Sequence, residues 1–393
     1  MTLSPAIAAQ FSADLRERLF ALRQAIHQEP ELAFAEERTA AKLEAALVAV
    51  GATDVRRVAG TGVVGRVRGR NGKAPVVAIR GDIDALPIQE ATGLPFASTT
   101  PGVMHACGHD VHATWAVGAA ALLAARPADG DVLVVLQPAE ETGRGARAIL
   151  DTGVLDGTTA IFGAHVDRRF AVGQAVADEG PLAASADVFT IELQGNGAHA
   201  ARPHEAADPI VGAAAIITAL QTIVARRLNP ATPGVVTVGA VNAGSAPNII
   251  PDRATLRGTV RAVDPASREL MLGEVRRISE ATAAAHGLSV TVDIELGPPP
   301  VINAREPSQW ARDAAASLLG ADHVVPLGIV NLAGEDFAHY QERFPGCFLR
   351  IGAREDGGAV IPAHSPKFYA ADESILVGAA VLAECARVAL KCL

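Results

Sequence analysis

Side chains able to bind a metal ion crowd into four short stretches of this chain. Asp82 and Asp84 follow the apolar run PVVAIR. His105, Cys107, His109, Asp110 and His112 fall together in HACGHDVH, Glu140 and Glu141 follow VVLQPA, and His165 closes IFGAH. A lone histidine is more often a satisfied polar group than a ligand. Four such groups at the ends of successive apolar runs match the place where open α/β sheets gather ligands, outside the carboxyl ends of their strands. In Cys107-Gly108-His109 the glycine frees the backbone to turn, so that a thiolate and an imidazole can converge, and a bound cation would deprotonate the thiol. Adjacent carboxylates on a loop point in different directions, so one of Glu140 and Glu141 can bind a cation while the other stays free. The free one can take a proton from water that a divalent ion has made acidic, with a pKa near about 7, and later give it to a leaving amine.

The elements that must position these groups are legible as alternating periods. Helical spacing covers 13–27 and 37–50, with a break at Pro30 and a terminating Gly51. Strand-like runs follow at Val63–Val67, Pro75–Arg80 and Asp131–Gln137, with helical stretches at 109–126 and 143–152 and a short strand at Ile161–His165. Apolar strands alternating with helices predict a mostly parallel sheet buried on both faces. Near Ala184 the texture changes. A period-2 strand at 187–194, a helix at 208–228, strands at 234–242 and 253–262, a helix at 265–286 and a strand at 288–296 give β-α-β-β-α-β, the ferredoxin-like order. Gly297-Pro-Pro-Pro300 marks a connector, and helices follow at 307–319 and 372–392. The reading is an α/β fold with a discontinuous catalytic domain, 1–183 plus 297–393, and a smaller α+β domain inserted at 184–296. Gly60-Thr-Gly-Val-Val-Gly65 matches a dinucleotide fingerprint, but valine-rich sequence and the turn residues Asn71-Gly72 follow it instead of a helix, so it reads as a hairpin.

The 393 residues are too many for one simple core. Apolar residues make up 49%, charged residues 20%, and the net charge is −9. With no Lys/Arg cluster, a nucleic-acid partner is not expected. No secretory leader pattern and no apolar run of membrane-spanning length is read, and no C-x-x-C pair occurs among Cys107, Cys347, Cys385 and Cys392. The expectation is a cytoplasmic protein without a membrane partner, with the last three thiols structural.

Taken in order along the chain, further motifs make it resemble the aminoacylase–carboxypeptidase metallopeptidase family, in its hippurate hydrolase and indole-acetyl-amino-acid hydrolase-like branch. They are Arg23, His27, Pro30-Glu31-Leu32, Glu37-Arg38-Thr39, Gly60-Thr61-Gly62, Asp82-Ile83-Asp84, the HACGHD run, Gln137-Pro138-Ala139-Glu140-Glu141 and His165. Beyond these come Gly197-Ala198-His199, Asn248-Ile-Ile-Pro251, Gly258-Thr-Val-Arg261, Gly334-Glu-Asp-Phe337 and His364-Ser365-Pro366. The resemblance implies a zinc-exopeptidase-like catalytic domain and an inserted lid and dimerisation domain. It implies two divalent ions per subunit (Zn, Mn, Co or Ni) held by Cys107, His109, Glu141, His165 and His364, with Glu140 as general base and Asp84 supporting a ligand. It implies that His199 reaches a partner subunit's site in a homodimer, and that Asn248 and Arg261 contact a substrate carboxylate. The implied reaction is hydrolysis of N-acyl amino acids. Dipeptide cleavage by the same chemistry, or metal binding without catalysis, are the alternatives. Two departures from the family pattern stand near the site. Val166-Asp-Arg-Arg-Phe170 follows His165 where a proline is usual, and Val111 replaces a smaller residue. Both are expected to bear on the substrate pocket.

Overall fold

Strands that are apolar on both sides have to be covered on both faces, and the architecture follows from that. A computed structural model describes residues 3–393. Along the chain come α1 (Pro5–Ala8), α2 (Ala13–Gln28), α3 (Glu37–Ala49), β1 (Thr53–Val58), β2 (Gly62–Val67), β3 (Val76–Asp82), α4 (His109–Ala125), β4 (Val132–Gln137), α5 (Gly145–Asp151), β5 (Thr158–Ala171) and β6 (Ala175–Val176). After β7 (Gly180–Ala183) follow β8 (Asp187–Gln194), β9 (Ala198–His199), α6 (Pro209–Leu220), β10 (Gly234–Ala243), β11 (Ile249–Ile250), β12 (Arg253–Ala262), α7 (Pro265–Ala285) and β13 (Ser289–Glu295). The chain closes with β14 (Val301–Asn303), α8 (Arg305–Leu319), α9 (Ala338–Gln341), β15 (Gly346–Arg354) and α10 (Glu373–Cys392).

It divides into two units. The first runs up to Gly180 and takes in Ile302–Ile329 and Asp336–Leu393; the second is Pro181–Val301 with Val330–Glu335. The first holds a seven-stranded sheet in the order β1-β2-β4-β3-β5-β15-β6. Its centre is parallel, β4 with β3, β3 with β5 and β5 with β15, while β1/β2, β2/β4 and β15/β6 pair antiparallel at the flanks. From β3 the chain crosses by α4 to β4 on one side, then by α5 to β5 on the other. The strand order therefore reverses at β3, where a crevice opens at the carboxyl ends. Helix α4 is apolar all round and buries nearly its whole length, as such a helix must. It packs against α10, where Gly118 lies so near Ala379 that a side chain at 118 would stand 2.8 Å from that methyl group. Trp115, Phe162, Leu349 and Leu376 lie in this core.

The second unit is a four-stranded antiparallel sheet in the order β10-β12-β8-β13, with α6 and α7 over it. The period-2 run of β8 turns Phe189, Ile191 and Leu193 into the core, against Ile216, Leu220, Leu256 and Val275. This is the split βαβ arrangement that the order of elements predicts.

Three features differ from the sequence expectation. The Gly60–Gly65 stretch does bend back, but its hairpin joins β1 to β2 through Ala59 and Gly60, both at positive φ. Asn71-Gly72 instead lies between β2 and β3, strands separated by β4. The strand read as Ile161–His165 continues to Ala171, and β15 carries no predicted strand, because arginines interrupt the apolar pattern of both. The helix expected to 228 ends as α-helix at Leu220 and widens into a π turn at Ile223–Arg227. The run Pro209–Arg227 has the length and apolar composition of a membrane span, but Gly212, Ala213, Ile216, Leu220 and Ile223 turn into the unit's core.

Candidate active site

Each chemical group sits where the backbone turns sharply. Cys107 and His109 flank Gly108, which caps α4 at φ +88°, and a side chain at 108 would come within 2.5 Å of Val166. Only glycine fits there. Glu140 and Glu141 occupy one 3₁₀ turn just past β4, entered through Ala139 at φ +53°. His165 stands on β5, and His364, at φ +65°, on the loop that follows β15.

These turns bring five donors together. Cys107 Sγ lies 3.2 Å from His165 Nε2. His109 Nε2 lies 3.8 Å from Glu141 Oε1, and His364 Nε2 lies 3.4 Å from the same oxygen. Cys107, His109 and His165 have their ligand atoms within 4.8 Å of one another, as do Cys107, Glu141 and His364, so the thiol is common to both groups. His109 Nε2 and Glu141 Oε1 are buried without a hydrogen-bond partner. An unsatisfied buried polar atom is costly, and a cation between these atoms removes that cost. The donor set of imidazole, thiolate and carboxylate suits a transition metal. On both counts the residues fit a divalent pair.

Neighbouring groups aim these donors. Asp84 Oδ1 accepts from His109 Nδ1 at 3.1 Å and its Oδ2 accepts the Glu141 N–H at 3.0 Å, so one carboxylate orients two donors. His165 Nδ1–H donates to the Val166 carbonyl at 2.7 Å. With a cation bound, both rings would therefore turn a bare Nε2 toward it. Glu140 lies 3.9 Å from His109 Nε2 and accepts the Asp336 N–H at 3.3 Å. The Asp336 carboxylate is itself held by Arg80 at 2.9 Å, by Gln137 at 2.8 and 2.9 Å and by the Ala146 N–H at 2.9 Å. Glu36, buried and bonded to Thr61, accepts the Ala139 N–H at 2.9 Å and so pins the turn that carries both glutamates.

Burial pushes the Cys107 thiol up to about 12, helped by the charge of Glu141, so without a cation it stays protonated. Burial works against a charged His109, yet Asp82, followed by a hydrogen bond to Asp84, takes its pKa well above the usual range. Burial, His112 and Arg350 take His165 well below it.

Three of the candidate ligands serve other ends. His112 donates from Nδ1 to Asp82 at 2.6 Å and accepts the Val166 N–H on Nε2 at 2.9 Å, which occupies both ring nitrogens. Asp82 is held by Arg80 at 2.6 Å. Asp110 bonds Arg23 and His27, at 2.7 and 2.8 Å. His105 is buried with no polar partner, and burial lowers it to about 3, so it is neutral. Sequence reasoning assigned no role to Glu36, Arg80, Gln137 or Asp336. An arginine inside the apolar run PVVAIR, and the Gly334-Glu-Asp-Phe337 motif, were the available signals.

His199, Asn248 and Arg261 belong to the second unit. His199 and Asn248 line an open cleft of ≈ 620 Å³ with Gly197, Ser245 and Pro251. The Ala201 N–H donates to His199 Nδ1 at 3.1 Å, which leaves the ring proton of a neutral His199 on its Nε2. Arg261 does not line this cleft; it sits on β12, opposite Val235.

Residues 78–388 match the model of peptidase family M20/M25/M40. The chain belongs to that family. It is 39% identical over 95% of its length to an N-acetyl-L-cysteine deacetylase of Bacillus subtilis, covering 88% of that protein. It is 37% identical over 95% of its length to an IAA-amino acid hydrolase of Arabidopsis thaliana, covering 86% of it. Its fold matches the crystal structure of the Bacillus subtilis YxeP protein, described as a dinuclear metal-binding peptidase of the M20 family, with TM-score 0.86 and 37% identity over 97% of this chain and all of that one. This M20 chain is a metallo-amidohydrolase of α/β fold.

Proposed function

We propose that the chain hydrolyses the amide bond of N-acyl amino acids, with Glu140 as general base and acid and with Cys107, His109, Glu141, His165 and His364 holding two divalent cations. The observation that carries this reading is the placing of Glu140: a carboxylate beside five converging donors, positioned by the Asp336 N–H. A pure binding site has no use for such a group. When bound, a divalent pair makes water acidic near neutral pH and polarises the scissile carbonyl. Glu140 takes the proton from the attacking water and passes it to the amide nitrogen. As the C–N bond breaks, one product leaves as the acyl carboxylate and the other as the free amino acid. Cys107, common to both ligand groups, would give up its thiol proton to hold a cation, and Asp84 keeps His109 and Glu141 in register.

In the second unit, which acts as lid and dimerisation domain in this reading, the His199 Nε2–H is suited to stabilise the oxyanion, acting on a partner subunit's site. Asn248 and Arg261 grip the substrate carboxylate, for which a guanidinium fork is well shaped. Zn, Mn, Co and Ni all suit the donors. The names of the two similar proteins, an N-acetyl-L-cysteine deacetylase and an IAA-amino acid hydrolase, favour acyl amino acids over dipeptides. The test is a panel of N-acetyl, aryl-acyl and dipeptide substrates on enzyme reconstituted with each metal. Turnover of acyl amino acids that stops on chelation and returns with metal supports the proposal. Preference for dipeptides shifts it to peptidase, and no turnover with any loaded metal ends it.

A further inference from the structure

His364 is the ligand with the least secondary structure around it. Residues 355–372 contain no helix or strand, His364 lies among them in the left-handed region, and it is half-exposed. A non-glycine residue in that conformation is strained and persists only where its surroundings over-determine it. Two anchors lie close by. The His364 N–H donates to the Ala106 carbonyl, and the Ala91 N–H donates to the Pro366 carbonyl, both at 2.8 Å.

The third anchor is Arg168, three residues beyond His165 on β5. Arg168 is 2% exposed. Its guanidinium holds Glu355 at 2.7 and 3.0 Å, the Ala359 carbonyl at 2.8 and 3.2 Å and the Tyr369 carbonyl at 3.1 Å. It also stacks 4.2 Å from the centre of the Tyr369 ring, whose hydroxyl donates to Glu355. One side chain thus grips the loop before and after His364. The bond to Arg168, against burial, takes the Glu355 carboxyl down to about 2, so it stays charged in this pairing. Arg168 is on the same strand as His165, so the grip also references the loop to another ligand.

We propose that Arg168, with Glu355 and Tyr369, is a positioning clasp that presets His364 against Glu141 and so sets the affinity of the cation which that pair holds. Resting on the two-metal reading above, this makes Arg168 a metal-affinity determinant specific to one of the two ions. A lysine cannot replace it, because a point charge cannot reach two carbonyls and a carboxylate in one plane.

The test titrates metal-free protein with Mn²⁺, reading bound ions by equilibrium dialysis and affinities by calorimetry. His364→Ala serves as the reference for loss of one ion. Arg168→Ala and Arg168→Lys are expected to weaken one ion by about 10–100-fold, the usual effect of removing a ligand's support, and to leave the other within about twofold. Tyr369→Phe is expected to do the same to a smaller degree. Excess Mn²⁺ is expected to restore turnover to the arginine variants. Unchanged affinities overturn the clasp, as does equal weakening of both ions, which marks general loosening. Should Arg168→Ala fail to fold, the lysine and phenylalanine variants decide by the same criteria. Wild-type protein that binds fewer than two ions overturns the two-metal reading itself, and that result is visible before any substitution is made.

Discussion

Glu140 and Glu141 are chemically identical neighbours, and what separates them is what each one faces. Glu141 turns a buried, unpartnered oxygen toward His109 and His364, whereas Glu140 is held by a backbone N–H. Replacing Glu140 by Gln keeps the shape and removes the proton carrier. The expected result is a fall in kcat of roughly 10²–10⁴-fold with both ions still bound, checked by metal analysis of the purified variant. Cys107 gives a second prediction at this scale. Its thiol is pushed up to about 12 without metal, so binding must release its proton. Calorimetry at pH 7 in buffers of different ionisation enthalpy should report proton release on metal binding that Cys107→Ser lowers by about one per chain. The identity of these residues was legible from local motifs. The motif alone did not single out His109, which the resemblance implied; His112 and His105 are set apart by what surrounds them in space.

At the scale of elements, α2, α4 and α10 meet through buried charges. Arg23 on α2 pairs with Asp110 on α4 and with Asp372 at the start of α10, and His27 bridges Asp110 and Glu90, with Arg23, His105 and Phe96 also against it. Burial opposes a charge on His27, but Asp110 and the bonds to Asp110 and Glu90 outweigh it and raise its pKa to about 9. A folded pKa raised above the ordinary 6.5 means stability fully present below pH 6.5 and lost as pH rises through 9. The loss is on the order of 3 kcal/mol. Thermal unfolding followed from pH 6 to 10 should show the decline, and His27→Gln should flatten it; an unchanged slope in the variant would exclude His27 as its cause. The strands and helices around this knot were readable from periodicity. The knot itself was not, since Arg23, Glu90, Asp110 and Asp372 are far apart in sequence.

At the scale of the molecule, the second unit leaves apolar surface uncovered. Helix α6 and its extension expose Ile210, Val211 and Val224, and β10, an edge strand, exposes Val241. Edge strands with open backbone groups invite pairing, so this face is the proposed dimer surface. Sedimentation should find a homodimer, and Val211→Lys combined with Val241→Lys should shift it to monomer with the fold intact by circular dichroism. Metal removal acts on the other unit. Ions that bind the folded state alone stabilise it by about 2.7 kcal/mol per site at a hundredfold excess over Kd. Chelation should therefore lower Tm as well as abolish turnover, and an unchanged Tm would place the cations outside the folded core.

The amino-acid sequence by itself determined the order of the long helices and of most sheet strands, β15 excepted, the all-apolar strands that demand a covered sheet, the ferredoxin-like insertion and the clustering of ligand types at strand ends. These rest on near neighbours and short periods, which a linear reading can see. Spacing did not link His364 to residues more than 190 positions away, which the resemblance implied and the tertiary structure brings about; only the tertiary structure decided that Asp336 lends its backbone to Glu140 and that Arg168 turns inward to the ligand loop. Such contacts depend on how a reversing strand order folds distant segments onto one crevice, and no local pattern encodes that distance.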